Sequence, residues 1–191
     1  MQECGAGGVG NQNAPIRVYM ANRPAFELPG EPDVATAIDI QVINQINAAC
    51  GNGWRKVFNV YAKWVFSLLE GLECQTQHAS WQAYRESALL TAEGATVLWF
   101  SPPVSFNPDS LNIVMGKTYA GQLGLTDTLD WIADDFAICL RRNLIVTPYF
   151  DYRQLTNEKI GFLNYLIRHH LMNDVTAEGR CLWLDLLRCA D

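Results

Sequence analysis

The first residues with a spacing suited to chemistry are the glycines near the start of the chain. Residues 5–10 read Gly-Ala-Gly-Gly-Val-Gly, which matches the G-x-G-x-x-G pattern of dinucleotide-binding turns. That turn must follow a strand and open a helix, whereas only four residues precede the pattern and Asn-Gln-Asn-Ala-Pro follows it. We therefore interpret residues 1–15 as a flexible N-terminal tail rather than as a nucleotide-binding loop.

A second motif, Gly116-Lys117-Thr118, matches the end of a phosphate-binding P-loop and follows an apolar run. A P-loop also needs a glycine five residues before Gly116, and that position holds Leu111. Since residues 111–115 themselves have the composition of a strand, no loop remains to surround a phosphate. The motif therefore indicates a turn from strand to helix, in which Lys117 could still hold an anion.

The histidines and cysteines do not have the spacing of a metal site. His169 and His170 are adjacent, so on a helix their side chains point about 100° apart and cannot share a metal. His78 is far away in the sequence, and no pair of cysteines has the spacing of a zinc site. The sequence therefore predicts no metal site and no cofactor.

Composition and charge indicate a single globular domain. The chain has 191 residues, of which 49% are hydrophobic and 18% charged, which is enough apolar material for a sizeable core. Its net charge of −6 disfavours attraction to nucleic-acid phosphates, although a local basic patch could still bind them. The six cysteines are scattered and no apolar run approaches the length of a membrane helix. These features predict a soluble, cytoplasmic protein with no membrane segment.

The elements that would position a site are short apolar strands separated by helices. Strands are predicted at 16–20, 95–100, 111–115 and 144–147. Helices are predicted from a cap at Asp33 to residue 50, from 54 to about 69, from Ser80 onward, after residue 116, and at about 127–142, 157–172 and 176–189. Because parallel strands need crossover connections, this order predicts an α/β domain over residues 16–191, with three α/β/α layers and a short, mainly parallel four-stranded sheet.

Open parallel sheets bind ligands beyond the carboxyl ends of their strands. Polar and aromatic residues follow each predicted strand, and they are Asn22, Arg23, Ser101, Lys117, Thr118, Tyr149, Asp151, Tyr152 and Arg153. Their convergence on one edge would form a pocket for a planar or anionic ligand. The alternative is that they are ordinary turn residues, because Asp and Asn stabilise loops and Arg commonly covers apolar surface.

The order of elements resembles the uracil-DNA glycosylase superfamily, mainly in the second half of the chain. Leu111 to Ala120 is similar to that family's strand ending in Gly-Lys/Asn-x-Ala, and Leu144 to Leu155 is similar to the strand that carries its His-Pro-Ser-Pro loop. The resemblance implies that Asn22 positions water, that Phe26 or Tyr149 stacks on a base, and that Lys117 and Arg153 hold phosphate.

Two hypotheses follow for the function. In the first, the domain binds a nucleobase-like or nucleotide-like ligand at the sheet edge, with or without glycosylase-like hydrolysis. In the second, it is a non-enzymatic interaction domain whose aromatic and acidic surfaces meet a protein partner or a second copy, giving a homo-oligomer. A glycosylase would be expected to place its basic residues on one face, namely Arg17, Arg23, Lys117, Arg141, Arg142 and Arg153.

Overall fold

A computed structural model of the protein describes residues 5–72 and 77–171, and their strands form one eight-stranded sheet. The strands are β1 (Gly8–Gly10), β2 (Ile16–Tyr19), β3 (Ala35–Thr36), β4 (Thr96–Trp99), β5 (Leu111–Met115), β6 (Asp130–Ala133), β7 (Phe136–Cys139) and β8 (Leu144–Thr147). Their order across the sheet is β3-β1-β4-β2-β5-β8-β7-β6.

The four apolar runs that predict strands form β2, β4, β5 and β8, which are parallel neighbours in the middle of the sheet. The prediction of a short four-stranded sheet is nevertheless wrong, because four further strands extend it on both sides. Strand β1 is antiparallel to β4, and β7 is antiparallel to both β8 and β6, so the sheet is mixed. The fold as a whole is still α/β.

The glycine-rich start, for which the sequence predicts a flexible tail, instead provides strand β1 between β3 and β4. A Cβ atom on Gly7 would lie 2.0 Å from the Pro32 carbonyl oxygen, and one on Gly8 would lie 2.7 Å from the Leu98 carbonyl oxygen. Gly10 has a φ of +116°, which side-chain-bearing residues rarely adopt. These glycines are therefore required by close approach of backbones in the sheet.

The predicted helix over 127–142 is also wrong, because this segment forms the antiparallel hairpin β6–β7. Its apolar residues are spaced in a way that also fits a helix, but Asp134 and Asp135 make a two-residue turn between the strands. The Lys159 ammonium, in the helix Asn157–Leu166, contacts the Asp135 carboxylate. The hairpin completes one end of the sheet.

The described residues also form five α-helices, namely α1 (Ile40–Cys50), α2 (Asn52–Gly71), α3 (Trp81–Ser87), α4 (Lys117–Gln122) and α5 (Asn157–Leu166). Helix α1 begins later than predicted, because its cap is Asp39, whose carboxylate accepts hydrogen bonds from the N–H groups of Gln41 and Val42. A turn of π-helix, Ile167–Leu171, extends α5. The helix predicted at 176–189 lies outside the described residues.

The two faces of the sheet are covered differently. Helices α1, α2, α3 and α5 pack on one face, which we call the helical face, and the buried Phe58, Tyr61 and Trp64 of α2 lie at the centre of its core. The opposite face, which we call the second face, is covered by α4 and by the loops around it. Side chains alternate between the faces along β2, so Val18 joins the helical core and Tyr19 joins the second core. None of the described helices is both long enough and apolar enough to span a membrane.

Candidate functional site

The carboxyl ends of three neighbouring strands, β2, β5 and β8, surround a cavity of about 430 Å³, which we call the strand-end cavity. Asn22 follows β2, Thr118 follows β5 and Tyr149 follows β8, so the structure brings together three of the residues predicted at this edge. The described residues that line the cavity are Ala21, Asn22, Met115, Gly116, Thr118, Tyr119, Gln122, Tyr149 and Gln154. This lining offers amides and hydroxyls but contains no charged side chain.

The two tyrosines of the strand-end cavity are held in their protonated form. Burial raises the pKa of the Tyr149 hydroxyl, and the nearby Asp151 charge raises it further, while hydrogen bonding with Asn22 opposes the shift. Burial also raises the pKa of Tyr119, whose hydroxyl is buried without a hydrogen-bond partner among the described residues. At neutral pH both hydroxyls can therefore donate a hydrogen bond, and neither can act as a base.

Gly116 explains how the chain turns at this cavity. Its φ of +90° lies in the region that favours glycine, and its N–H donates to the Thr147 carbonyl oxygen at 2.7 Å, which joins the ends of β5 and β8. The next residue, Lys117, starts the short helix α4, and its ammonium lies 4.4 Å from the centre of the Trp131 ring. The motif Gly116-Lys117-Thr118 is thus a strand-to-helix turn in the structure. The binding of an anion by Lys117 stays a prediction.

A basic groove of about 380 Å³ lies on helix α2, and we call it the α2 groove. Arg55, Asn59 and Lys63 form one wall, because residues four apart lie on the same side of a helix. Neither Arg55 nor Lys63 forms an ion pair with a described residue. The groove is therefore a local concentration of unpaired positive charge on an acidic chain.

Aromatic rings close the α2 groove on two sides. Tyr152, which is 55% exposed, lies 5.0 Å from the Lys56 ammonium and 5.7 Å from the Arg153 guanidinium, and Trp81 lines the groove as well. The Lys56 ammonium also forms an ion pair of 2.8 Å with Asp151. This hydrogen bond from Lys56 is the largest of the causes that lower the pKa of Asp151, and it ties the loop after β8 to α2.

The other residues predicted at the edge have structural contacts. Ser101 donates its hydroxyl to the Pro32 carbonyl oxygen at 2.9 Å, and it lines a different cavity, on the second face of the sheet. Arg23 lies over the Phe100 ring at 5.6 Å, and Phe26 packs, partly buried, against the core of the helical face. The residues predicted to line a single pocket are thus divided between the strand-end cavity, the α2 groove and this third cavity on the second face.

The basic residues do not share one face. Lys117 and Arg153 follow strands at the carboxyl edge of the parallel strands, whereas Arg141 and Arg142 precede β8 and lie at the opposite edge. Arg17 lies within β2. The arrangement expected of a glycosylase surface is therefore only partly present.

A model of one protein family matches residues 7–168, a range that includes every strand and every α-helix described above. The chain belongs to DUF6942, a family of unknown function. No curated protein and no solved structure matches the chain. The strand-end cavity and the α2 groove of this DUF6942 protein both lie inside the matched range.

Sequence reasoning missed two groups of residues in this DUF6942 protein. The α2 groove lies on a helix, which the rule about strand ends does not cover, although Arg55, Asn59 and Lys63 form a polar row with a spacing of four. Arg17 was missed as a site residue although it interrupts an apolar strand, Ile16–Tyr19. No group of three or more His, Cys, Asp or Glu side chains that could hold a metal occurs among the described residues.

Proposed function

We propose that this protein binds a nucleobase-like or nucleotide-like ligand in the strand-end cavity. The observation that carries the proposal is that Asn22, Thr118 and Tyr149, from three adjacent strand ends, line one cavity whose polar groups are all neutral. The edge of a nucleobase offers both donors and acceptors, and amides and hydroxyls can satisfy both. A volume of about 430 Å³ is in the usual range of small-molecule sites.

The α2 groove supports a nucleotide over a free base. Tyr152 of the groove follows Tyr149 of the cavity by three positions, and the Asp151 N–H donates to the Tyr149 carbonyl oxygen at 2.7 Å in the turn between them. Because the loop after β8 contributes a residue to each site, we infer that a ligand with its base in the cavity directs its phosphate toward Arg55 and Lys63. Guanidinium and ammonium groups without protein partners are suited to phosphate oxygens.

The same lining favours binding over hydrolysis. Removing a proton from an attacking water requires a base, and an amide such as Asn22 does not accept protons at neutral pH. The raised pKa values of Tyr119 and Tyr149 make these hydroxyls donors rather than bases. We therefore infer that Asn22 orients the ligand, and that the base edge is held by hydrogen bonds without being released.

Calorimetric titration of the full chain with free nucleobases and with their 5′-monophosphates tests this proposal. Thr118→Val removes one hydroxyl at constant shape and should weaken binding about 2- to 12-fold, the usual worth of one hydrogen bond. The control is Thr126→Val, since Thr126 is exposed and lies outside the cavity lining. Arg55→Met should weaken binding of the monophosphate while leaving the free base unchanged.

Two outcomes would contradict the proposal. If no base and no monophosphate binds, the cavity does not have this function. A uracil-excision assay on single-stranded DNA separates binding from hydrolysis, and release of free uracil by the wild-type chain, lost in Asn22→Ala, would replace the binding role with a catalytic one.

One observation favours a second candidate function, self-association through the sheet edge. Strand β6 is the last strand of the sheet, all four of its residues are exposed, and Trp131 and Ile132 are 36% and 43% exposed. Exposed edge strands with apolar side chains tend to pair with other chains. Sedimentation should then show a dimer that Ile132→Lys converts to a monomer, and a wild-type monomer at high concentration would exclude this role.

A further inference from the structure

A third cavity, of about 320 Å³, lies on the second face of the sheet, and we call it the face cavity. Its floor is formed by Arg17 and Tyr19 of β2 and Trp99 of β4, and its wall is the loop of residues 101–105 that follows β4. None of its lining residues belongs to the strand-end cavity or to the α2 groove. It is therefore a separate place where a ligand could bind.

Arg17 is an unusual residue for this position. Strand β2 lies between β4 and β5 in the middle of the sheet. Most of the residues around the Arg17 side chain are therefore apolar and buried. None of the ion pairs formed by described residues includes Arg17. A partly buried guanidinium that is not engaged by a described carboxylate can take a ligand carboxylate as its partner.

The Arg17 side chain hydrogen-bonds with the Tyr19 hydroxyl but forms no ion pair with a carboxylate among the described residues. The guanidinium lies 5.7 Å from the centre of the Trp99 ring, and its Nε atom is buried without an acceptor among the described residues. The Nε1 atom of Trp99, which is 8% exposed, is equally buried and without an acceptor. The charged Arg17 guanidinium gives this side of the cavity a positive potential, which favours an anion.

The rest of the lining specifies what kind of anion fits. Pro102, Pro103 and Val104 give the wall an apolar surface beside the Trp99 ring. Asp33, an exposed carboxylate, stands at the rim and disfavours ligands with several negative charges. A small ligand with one carboxylate and an apolar or aromatic body satisfies both conditions.

We infer that the face cavity is a second binding site, which takes a small monocarboxylic acid whose carboxylate pairs with the Arg17 guanidinium. The planar guanidinium presents parallel N–H donors that match the two oxygens of a carboxylate. The apolar body of the ligand packs between the Trp99 ring and the proline-rich loop. This site is independent of the nucleotide proposed for the strand-end cavity.

Benzoate, with its neutral isostere benzamide, is the probe that tests this site by calorimetric titration of the full chain. Benzoate should bind and benzamide should not, and Arg17→Met should weaken benzoate at least tenfold. The matched control is Arg142→Met, because Arg142 also lies over an aromatic ring, that of Phe106 at 5.8 Å, but lies outside the face cavity. Equal binding of benzoate by the Arg17→Met and wild-type chains would overturn the inference.

A second measurement does not depend on any variant folding. In the wild-type chain, benzoate should shift the backbone amide resonances of Arg17 and of the non-proline residues of the loop (Ser101, Val104 and Ser105), and leave those around the strand-end cavity unchanged. Absence of these shifts at millimolar benzoate would overturn the proposed site. Inorganic phosphate is the competing anion, and shifts produced by phosphate but not by benzoate would overturn the assignment to carboxylates.

Discussion

The close packing of strand β1 gives the sharpest test of the fold. Substitution by alanine should have opposite effects on stability at a glycine of β1 and at an exposed glycine of helix α5. Gly10 of β1 has a φ of +116°, and a Cβ atom there would lie 2.5 Å from the Thr96 carbonyl oxygen and 2.9 Å from the Val97 Cα. Gly161 of α5 is exposed, and a Cβ atom there meets nothing within 4 Å. We therefore expect Gly10→Ala to destabilise the protein and Gly161→Ala to stabilise it.

The magnitudes follow from the geometry. A side chain in a backbone conformation reserved for glycine costs about 1–3 kcal/mol, and overpacking against β4 costs about 1–3 kcal/mol more. With a urea m-value of about 2 kcal/mol/M, the unfolding midpoint of Gly10→Ala should fall by about 1–3 M. Alanine has a higher helix propensity than glycine by about 1 kcal/mol, so the midpoint of Gly161→Ala should rise by about 0.5 M.

Urea unfolding followed by far-ultraviolet circular dichroism and by tryptophan fluorescence measures both midpoints. The m-value should stay the same in all three chains, so that the midpoints report stability. If Gly10→Ala leaves the midpoint unchanged, residues 8–10 are not held between β3 and β4, and the start of the chain is the mobile tail that its composition suggests.

Two further predictions concern polar contacts. The pKa of Asp151 is lowered in the folded protein, so the ion pair with Lys56 contributes stability above the ordinary carboxyl pKa and loses it as pH falls through the lowered value. Asp151→Asn should therefore cost at most about 1 kcal/mol at pH 7 and less at pH 2, and an equal cost in urea unfolding at both pH values would contradict this. Asn164→Leu should lower the free energy of unfolding by about 1–3 kcal/mol. The reason is that the buried indole N–H of Trp64 donates to the Asn164 side chain at 3.1 Å and would lose its acceptor. An unchanged melting temperature would mean that the indole finds another acceptor.

The sequence was informative where one physical signal dominated. The segments Ile16–Tyr19 and Leu111–Met115 are mostly apolar runs bounded by turn residues, and both form parallel strands in the middle of the sheet. The hairpin β6–β7 was missed because Leu129, Ile132 and Phe136 are spaced like one face of a helix. Its tertiary contacts, with β7 paired to β8, decided against the helix.

The sites were only partly predictable for a similar reason. The rule about strand ends brought Asn22, Thr118 and Tyr149 together correctly, since it depends only on parallel strands being neighbours. It could not locate Arg17, because a charged residue within an apolar strand has no sequence signal that distinguishes a ligand site from a solvent-facing position. It also missed the α2 groove, which is built by a helix on the helical face.

The position of β1 also constrains the order in which the polypeptide can assemble during synthesis. Gly8 pairs with Trp99, about 90 residues later in the chain, which is a long-range contact of the kind that slows folding. The place of β1 between β3 and β4 does not exist until β4 has left the ribosome, so β1 is synthesised long before it can pair with β4. A strand made of glycines and one valine carries almost no apolar surface through that interval, which leaves little for other chains to bind in the meantime.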